Sequence, residues 1–357
     1  MFKKIISIAA SAAVVAGVLS AAPAFAGDTI KGSGSSFANN AMQACVGAYT
    51  ANTVTYLSTG SGTGRTNFIA GTYDFGATDA VFTSPAPAFE YVTVPLLGGP
   101  IAFAYTASGV SDGLNLTAQN VSDIFTGRVT KWNDASIKAN NLKIKLPNKS
   151  IKVNYRSGSS GTNENISNYL AQNLPGQGWV KNSTWSTAIA GALPQGGSVV
   201  GTGHSTSSAL AGVLEDSLNG FGYFDLSDAI TADVAIAKLK NAAGAFVAPS
   251  ASAASKFLNA QAINTGGTNA TNGTLTIDFT KNISGAYQLS IVTYGIAPKF
   301  IPTTTVKKST NTAKLAVGDF FKYVVSSCIP AKAASLGYTA LGGALKTSAL
   351  NQIKTIG

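Results

Sequence analysis

Three short turns rich in glycine, serine and threonine carry the residue types that hold a small anion without a metal. They are Gly32-Ser33-Gly34-Ser35-Ser36-Phe37, Ser58-Thr59-Gly60-Ser61-Gly62-Thr63-Gly64 and Arg156-Ser157-Gly158-Ser159-Ser160-Gly161-Thr162. Glycine lets the main chain approach a ligand closely, and the free N–H groups of a helix start point at whatever sits there. Hydroxyls add donors, and the helix dipole favours negative charge. Arg156 brings a planar guanidinium matched to two oxygens at once. A charge-assisted hydrogen bond is worth about 1.5–3 kcal/mol. Several converging on one anion reach the roughly 8 kcal/mol of micromolar affinity after desolvation. None of the three turns matches the phosphate loop G-x-x-x-x-G-K-[ST] of nucleotide hydrolases. A dinucleotide fingerprint fails as well, because Arg65 stands where its last glycine belongs.

Each turn sits at or just before an expected helix start. The first leads into apolar spacing at Phe37, Ala41, Cys45 and Ala48. The second follows a strand-like run at 54–57 and precedes the segment 65–70. The third lies between 151–155, whose apolar residues alternate, and a helix carrying Ile166, Tyr169, Leu170 and Leu174. Further strand-like runs at 73–77 and 101–105 complete an alternation that predicts an α/β architecture. The stretch 241–272, rich in Ala, Ser, Asn and Gly, reads as loop-containing.

The whole chain sets bounds on what such turns can serve. Its 357 residues suggest about two domains, and 45% hydrophobic content excludes a disordered chain. One histidine and two cysteines leave little material for a His/Cys zinc or iron–sulfur site. At the N-terminus, Phe2-Lys3-Lys4 precedes a charge-free run at 5–19, and Ala24-Phe25-Ala26 forms an A-x-A cleavage site. Residues 1–26 therefore read as a signal peptide, with Gly27 first in the mature chain. Gly27, not a cysteine, stands directly after the cleavage site, so the expected product is periplasmic or secreted and not lipid-anchored. Cleavage removes Lys3 and Lys4 and no acid, lowering the formal charge from +10 by two to +8. No later run of about 20 apolar residues spans a membrane. In an oxidising compartment Cys45 and Cys328 read most simply as a disulfide, with two buried free thiols as the alternative. A serine hydrolase finds little support, since His204 is the sole histidine and no G-x-S-x-G elbow is present. The basic residues are dispersed, with Lys307-Lys308 and the pair Lys143 and Lys145 among the few groupings. That argues against nucleic acid and for a surface that collects small anions.

The sequence as a whole resembles the PstS family, the substrate-binding proteins of phosphate ABC importers. The landmarks are GSGSSF at 32–37, GSGTG at 60–64, DFGATDA at 74–80 and NVSDIFTGRVTKWND at 120–134. RSGSSGT at 156–162, GFGYFD at 220–225 and FFKYV at 320–324 extend them over nearly the whole mature chain. The resemblance implies a two-lobed periplasmic-binding-protein fold of type II, with hinge-joined lobes and the ligand in the cleft. It divides the chain into lobe I, 27–103 plus 293–357, and lobe II, 104–292. Both cysteines then fall in lobe I. It implies phosphate contacts from Ser36, Phe37, Ser61 and Asp79 on one side, and from Arg156, Ser160, Gly161 and Thr162 on the other. An ionised Asp79 accepts hydrogen bonds only, so it welcomes the proton that phosphate still carries and rejects sulfate, which carries none. The family pattern has an aspartate where this chain has Gly158, so the carboxylate partner expected for Arg156 is missing. The expectation is a non-enzymatic protein that captures inorganic phosphate by hinge closure and delivers it to an ABC importer: no cofactor, no metal, an ABC permease and ATPase as partners, no nucleic acid, and a monomer. The rival is the same fold reused as an extracellular oxyanion-binding or adhesion protein without transport.

Overall fold

The computed structural model describes residues 27–81, 85–266, 268, 271–306 and 309–357. The signal-peptide reading of 1–26 and the Lys307-Lys308 pair lie outside the described residues.

One curled mixed sheet organises the molecule. Its strands are β1 (Thr29–Gly34), β2 (Thr53–Ser58), β3 (Phe75–Thr78), β4 (Tyr91–Tyr105), β5 (Lys152–Arg156), β6 (Thr202–His204), β7 (Gly220–Asp225), β8 (Ala235–Ile236) and β9 (Ser290–Pro298). They run in the order β2-β1-β3-β9-β4-β7-β5-β6, with β8 beside the end of β4. β1 pairs in parallel with β2 and β3, and β5 in parallel with β6 and β7. β4 and β9 are antiparallel to their neighbours and join these two parallel groups.

β4 is the element that carries the chain from one group to the other. Its residues up to Pro100 pair with β9, and from Ile101 onward they pair with β7. A proline has no N–H to donate, so Pro100 suits the point where the partner changes. All fifteen residues are buried. Sequence reading predicted only 101–105, because Pro95 and Gly98-Gly99-Pro100 look like strand breakers. A register shift lies opposite, where Thr293 faces Leu97 and Tyr294 faces Pro95, leaving Leu96 as the extra residue of a bulge.

Helices cover both faces: α1 (Asn39–Val46), α2 (Ser61–Ile69), α3 (Ala118–Phe125), α4 (Gly161–Asn173), α5 (Ser207–Glu215), α6 (Leu226–Thr231), α7 (Ala251–Asn259), α8 (Thr312–Tyr323) and α9 (Gly343–Ile353). α3 is fixed by a capping box between Thr117 and Asn120, and it buries Val121, Ile124 and Phe125. The 120–134 landmark is thus core-forming: Phe125 and Trp132 pack on Phe221 of β7. On the other side, Phe75 of β3 meets Phe320 and Phe321 of α8. The stretch 241–272 holds more order than its composition suggests. Ser250 caps α7, and Ala253, Ala254, Phe257 and Leu258 are buried at helical spacing.

Cys45 of α1 and Cys328, at the end of a π-helical turn after α8, form a disulfide across 283 residues of sequence. Among the described residues no helix is long and apolar enough to cross a membrane.

Candidate functional site

The three turns adopt the strand-to-helix form expected and point at one another. After β1 the chain bends through Ser35, Ser36 and Phe37 into α1. Gly34 is required at this bend, since its φ is +142° and a Cβ would lie 2.0 Å from the Ala77 carbonyl oxygen. Ser35 Oγ accepts from the Ala38 N–H at 3.1 Å and donates to Asp79 Oδ1 at 2.6 Å. The second turn ends at Gly60, with φ +89°, and Ser61 opens α2. Ser61 Oγ donates to Asp79 Oδ2 at 3.0 Å and accepts from the Asp79 N–H at 3.1 Å. Thr293 of β9, opposite the bulge in β4, donates from Oγ1 to Asp79 Oδ1 at 2.7 Å. Asp79 therefore sits buried just beyond β3 with three hydroxyls turned toward its carboxylate. Burial pushes its pKa up, while the Ser35, Thr293 and Ser61 hydroxyls and the Arg156 charge pull it back toward the ionised form.

Arg156 ends β5 and is only 1% exposed. Its main chain is clamped: the N–H donates to Tyr223 Oη at 3.1 Å and the carbonyl accepts from Asn163 Nδ2 at 2.8 Å. Its guanidinium donates from Nη1 to Ser36 Oγ at 2.7 Å and to Ser207 Oγ at 3.2 Å, and from Nη2 to the Ser205 carbonyl at 2.6 Å. Nε is buried without a partner, and so is the Oγ1 of Thr162. Ser160 caps α4 by accepting from the Asn163 N–H at 3.3 Å, and Gly161 and Thr162 open that helix. Two unpartnered donors beside a helix start are the groups an anion would satisfy.

The two sides touch. The Gly62 N–H donates to the Ser159 carbonyl at 3.0 Å, and Asn165 Nδ2 donates to the Asp79 carbonyl at 2.7 Å. A Cβ on Gly161 would lie 2.6 Å from Ser61 Oγ and 2.7 Å from Asp79 Cβ, so only glycine allows this approach. Phe37 belongs to the same cluster. Its carbonyl accepts from Tyr338 Oη at 2.7 Å and its ring packs edge-on against the Tyr338 ring. Ser36, Phe37, Ser61, Asp79, Arg156, Ser160, Gly161 and Thr162 are all buried. Sequence reasoning missed Ser35, Asn165, Ser207 and Thr293. Ser35 had a signal, lying next to Ser36 in a turn already singled out.

Behind Phe37 lies a second polar group the sequence did not reveal. Asp225 Oδ1 accepts from the Asp228 N–H and from Tyr338 Oη, each at 2.9 Å. Asp228 Oδ1 accepts from Asn40 Nδ2 of α1 at 3.0 Å. Burial raises both carboxyl pKa values, and the neighbouring Asp228 charge raises that of Asp225 further. His204 is spent elsewhere: its Nε2 pairs with Asn154 Oδ1 at 3.0 Å, and burial and the Arg156 charge push its pKa down. Among the described residues no group of His, Cys, Asp and Glu is arranged to hold a metal.

Comparison with known proteins bears on this geometry. A family model described as a PBP superfamily domain matches residues 19–327. A phosphate-binding protein PstS of Xylella fastidiosa is 29% identical over 306 residues, covering 82% of this chain and 76% of the relative. The phosphate-binding protein PstS of Pasteurella multocida is 32% identical over 231 residues, covering 62% of this chain and 64% of the relative. The matched stretch is thus just under two thirds of that second relative's length. Among solved structures, a high-affinity periplasmic phosphate-binding protein bound with phosphate superposes with TM-score 0.69 at 20% identity, over 89% of this chain and 92% of the other. A phosphate-binding protein from Stenotrophomonas maltophilia does so with TM-score 0.65 at 16% identity, over 90% and 93%. At these identities the structures speak for the fold, and the α/β architecture with its curled mixed sheet is theirs.

Proposed function

The chain belongs to the PBP superfamily, and from that premise we propose that it captures inorganic phosphate and delivers it to an ABC importer. One observation carries the reading. A buried guanidinium with a free Nε, three strand-to-helix turns and a carboxylate meet in a single cluster, in a chain whose relatives are named phosphate-binding proteins.

The chemistry follows from the donor and acceptor inventory. Arg156, the main-chain N–H groups of Phe37, Gly161 and Thr162, and the hydroxyls of Ser36, Ser160 and Thr162 are the donors, joined by Ser61 when its hydroxyl turns from Asp79 to the ligand. Asp79 is the acceptor. An anion that still carries a proton donates a hydrogen bond through it to Asp79; a fully deprotonated one meets lone pairs and is repelled. Donors fixed before the ligand arrives lose little entropy on binding.

The lobes are read as 27–103 with 293–357, and 104–292. Support comes from β4, whose pairing partner changes between Pro100 and Ile101, a few residues from that division. Binding then closes the lobes by a hinge motion, and an importer recognises the closed form. We further infer an exported, periplasmic monomer whose partners are a permease and an ATPase, with no catalytic step of its own. The disulfide supports an oxidising compartment.

Calorimetric titration tests this. Phosphate and sulfate are titrated separately into protein freed of ligand by unfolding and refolding. The expected result is one-to-one phosphate binding, micromolar or tighter, with no heat from sulfate. Equal binding of both would remove the role given to Asp79 and leave a general oxyanion binder. Binding of neither would overturn the function.

A further inference from the structure

Arg156 is held in an unusual way for a buried cation. Among the described residues no carboxylate bonds to its guanidinium. Nη2 donates to the Ser205 carbonyl at 2.6 Å, and Nη1 is shared between Ser36 Oγ at 2.7 Å and Ser207 Oγ at 3.2 Å. Ser205 and Ser207 flank Thr206, which caps α5 by accepting from the Ala209 N–H at 3.1 Å. The start of α5 is therefore rigid, and Ser207 is fully buried.

Ser207 also sets the state of Ser36. Its N–H donates to Ser36 Oγ at 3.2 Å. Together with Arg156 Nη1 this uses both lone pairs of the Ser36 oxygen, so in its 3.2 Å contact with Ser207 Oγ the Ser36 hydroxyl is the donor. Gly158, by contrast, is empty ground. A Cβ there would find nothing nearer than the Ser205 carbonyl oxygen at 4.0 Å, and its φ lies outside the left-handed region. The oxygen nearest to a side chain at 158 is thus the one that accepts from Arg156.

We propose that the start of α5, through the Ser207 hydroxyl and N–H and the Ser205 carbonyl, is the positioning device of the anion site. It orients Arg156 and fixes Ser36 as a donor, in the place a carboxylate at 158 would otherwise occupy. This rests on the phosphate reading above. A neutral anchor has a consequence for the ligand: it holds the guanidinium without cancelling its charge, leaving that charge for the anion.

The test is a rescue cycle read by calorimetric phosphate titration. Ser207→Ala weakens phosphate binding at least tenfold, and Ser207→Thr, which keeps the hydroxyl, stays within about threefold of the unaltered protein. Adding Gly158→Asp to Ser207→Ala supplies the carboxylate anchor and recovers most of the loss. A purely structural role for Ser207 would not be rescued from residue 158. Thermal unfolding without phosphate checks that each variant folds. If the alanine variant does not, Ser207→Cys, with a γ atom of weaker hydrogen bonding, carries the same comparison. Affinity unchanged in Ser207→Ala, or a loss that Gly158→Asp leaves in place, overturns the proposal. An unaltered protein that binds no phosphate overturns the function reading instead.

Discussion

Asp225 and Asp228 put two carboxyl groups in one buried place, and the outcome depends on a single proton. Asp225 Oδ2 and Asp228 Oδ2 are buried without donors, while the remaining oxygens are served by Tyr338, the Asp228 N–H and Asn40. Burial raises both pKa values, and the Asp228 charge raises that of Asp225 further, so the pair favours holding one proton between its two orphaned oxygens. The folded chain thus binds a proton that the unfolded chain releases near pH 4. Its stabilising contribution is complete below that pH and is lost as pH rises through the raised folded value. The facing groups are Asn40, Ser227, Ser208 and Tyr338, with the Arg156 charge pulling the Asp228 pKa down. Asp225→Asn keeps the acceptor for Tyr338 and donates to Asp228 at every pH. It is expected to stabilise the protein by about 1–2 kcal/mol at pH 7.5, the scale of relieving an unsatisfied buried group, and to add little at pH 4.5. Urea unfolding midpoints at the two pH values measure this. A gain equal at both would mean that no proton is shared.

The strand-to-helix turns were legible because their signals are local. Glycines at 34 and 60, hydroxyls beside them and apolar spacing after them are all written within about ten residues, and α4 begins at Gly161 inside the turn that announced it. Long-range partnerships leave no such trace. Thr293 lies in a largely apolar strand, and its use appears only when the pairing of β9 beside β3 brings it to Asp79, 214 residues away. Ser207 looks like any helix-start serine until β5 brings Arg156 beside it. The first ten residues of β4 were hidden by prolines and glycines that the switch of strand partner tolerates. The disulfide was one of two readings open to a lone pair of cysteines, and it ties α1 to the turn after α8. Replacing Cys45 and Cys328 together by alanine releases a 283-residue closure from the unfolded chain. The expected cost is roughly 2–5 kcal/mol of stability. Phosphate affinity stays within about twofold, because the bridge touches none of the buried cluster. Thermal unfolding and calorimetry of the double variant read these two quantities separately. A tenfold loss of affinity would mean that the bridge shapes the site.

Two neighbouring strands, β4 and β9, connect the halves of the molecule, and beside the candidate anion site the halves meet through hydrogen bonds. They include Gly62 to Ser159, Asn165 to the Asp79 carbonyl and Asn40 to Asp228. Hydrogen bonds of this kind contribute about 1 kcal/mol each, because water replaces them when the halves part. On the proposed function, these hydrogen bonds add little to closure, and an anion that bonds to both sides decides it. Gly161 separates closure from folding. It is the first residue of α4, where alanine favours the helix over glycine by about 1 kcal/mol. The penalty arises only when the halves meet, since an added Cβ would press on Ser61 Oγ at 2.6 Å and Asp79 Cβ at 2.7 Å. Gly161→Ala is thus expected to unfold without phosphate within about 2 °C of the unaltered chain and to bind phosphate at least 100-fold more weakly. At a phosphate concentration 1,000 times the unaltered Kd, ligand stabilisation is about 4.1 kcal/mol. A 100-fold loss leaves about 1.4 kcal/mol at that same concentration. Thermal unfolding across a phosphate series, with sulfate at matched ionic strength as control, measures both. A full phosphate-dependent shift in Gly161→Ala would show that the two sides need not meet, and ligand capture would then occur on one lobe alone.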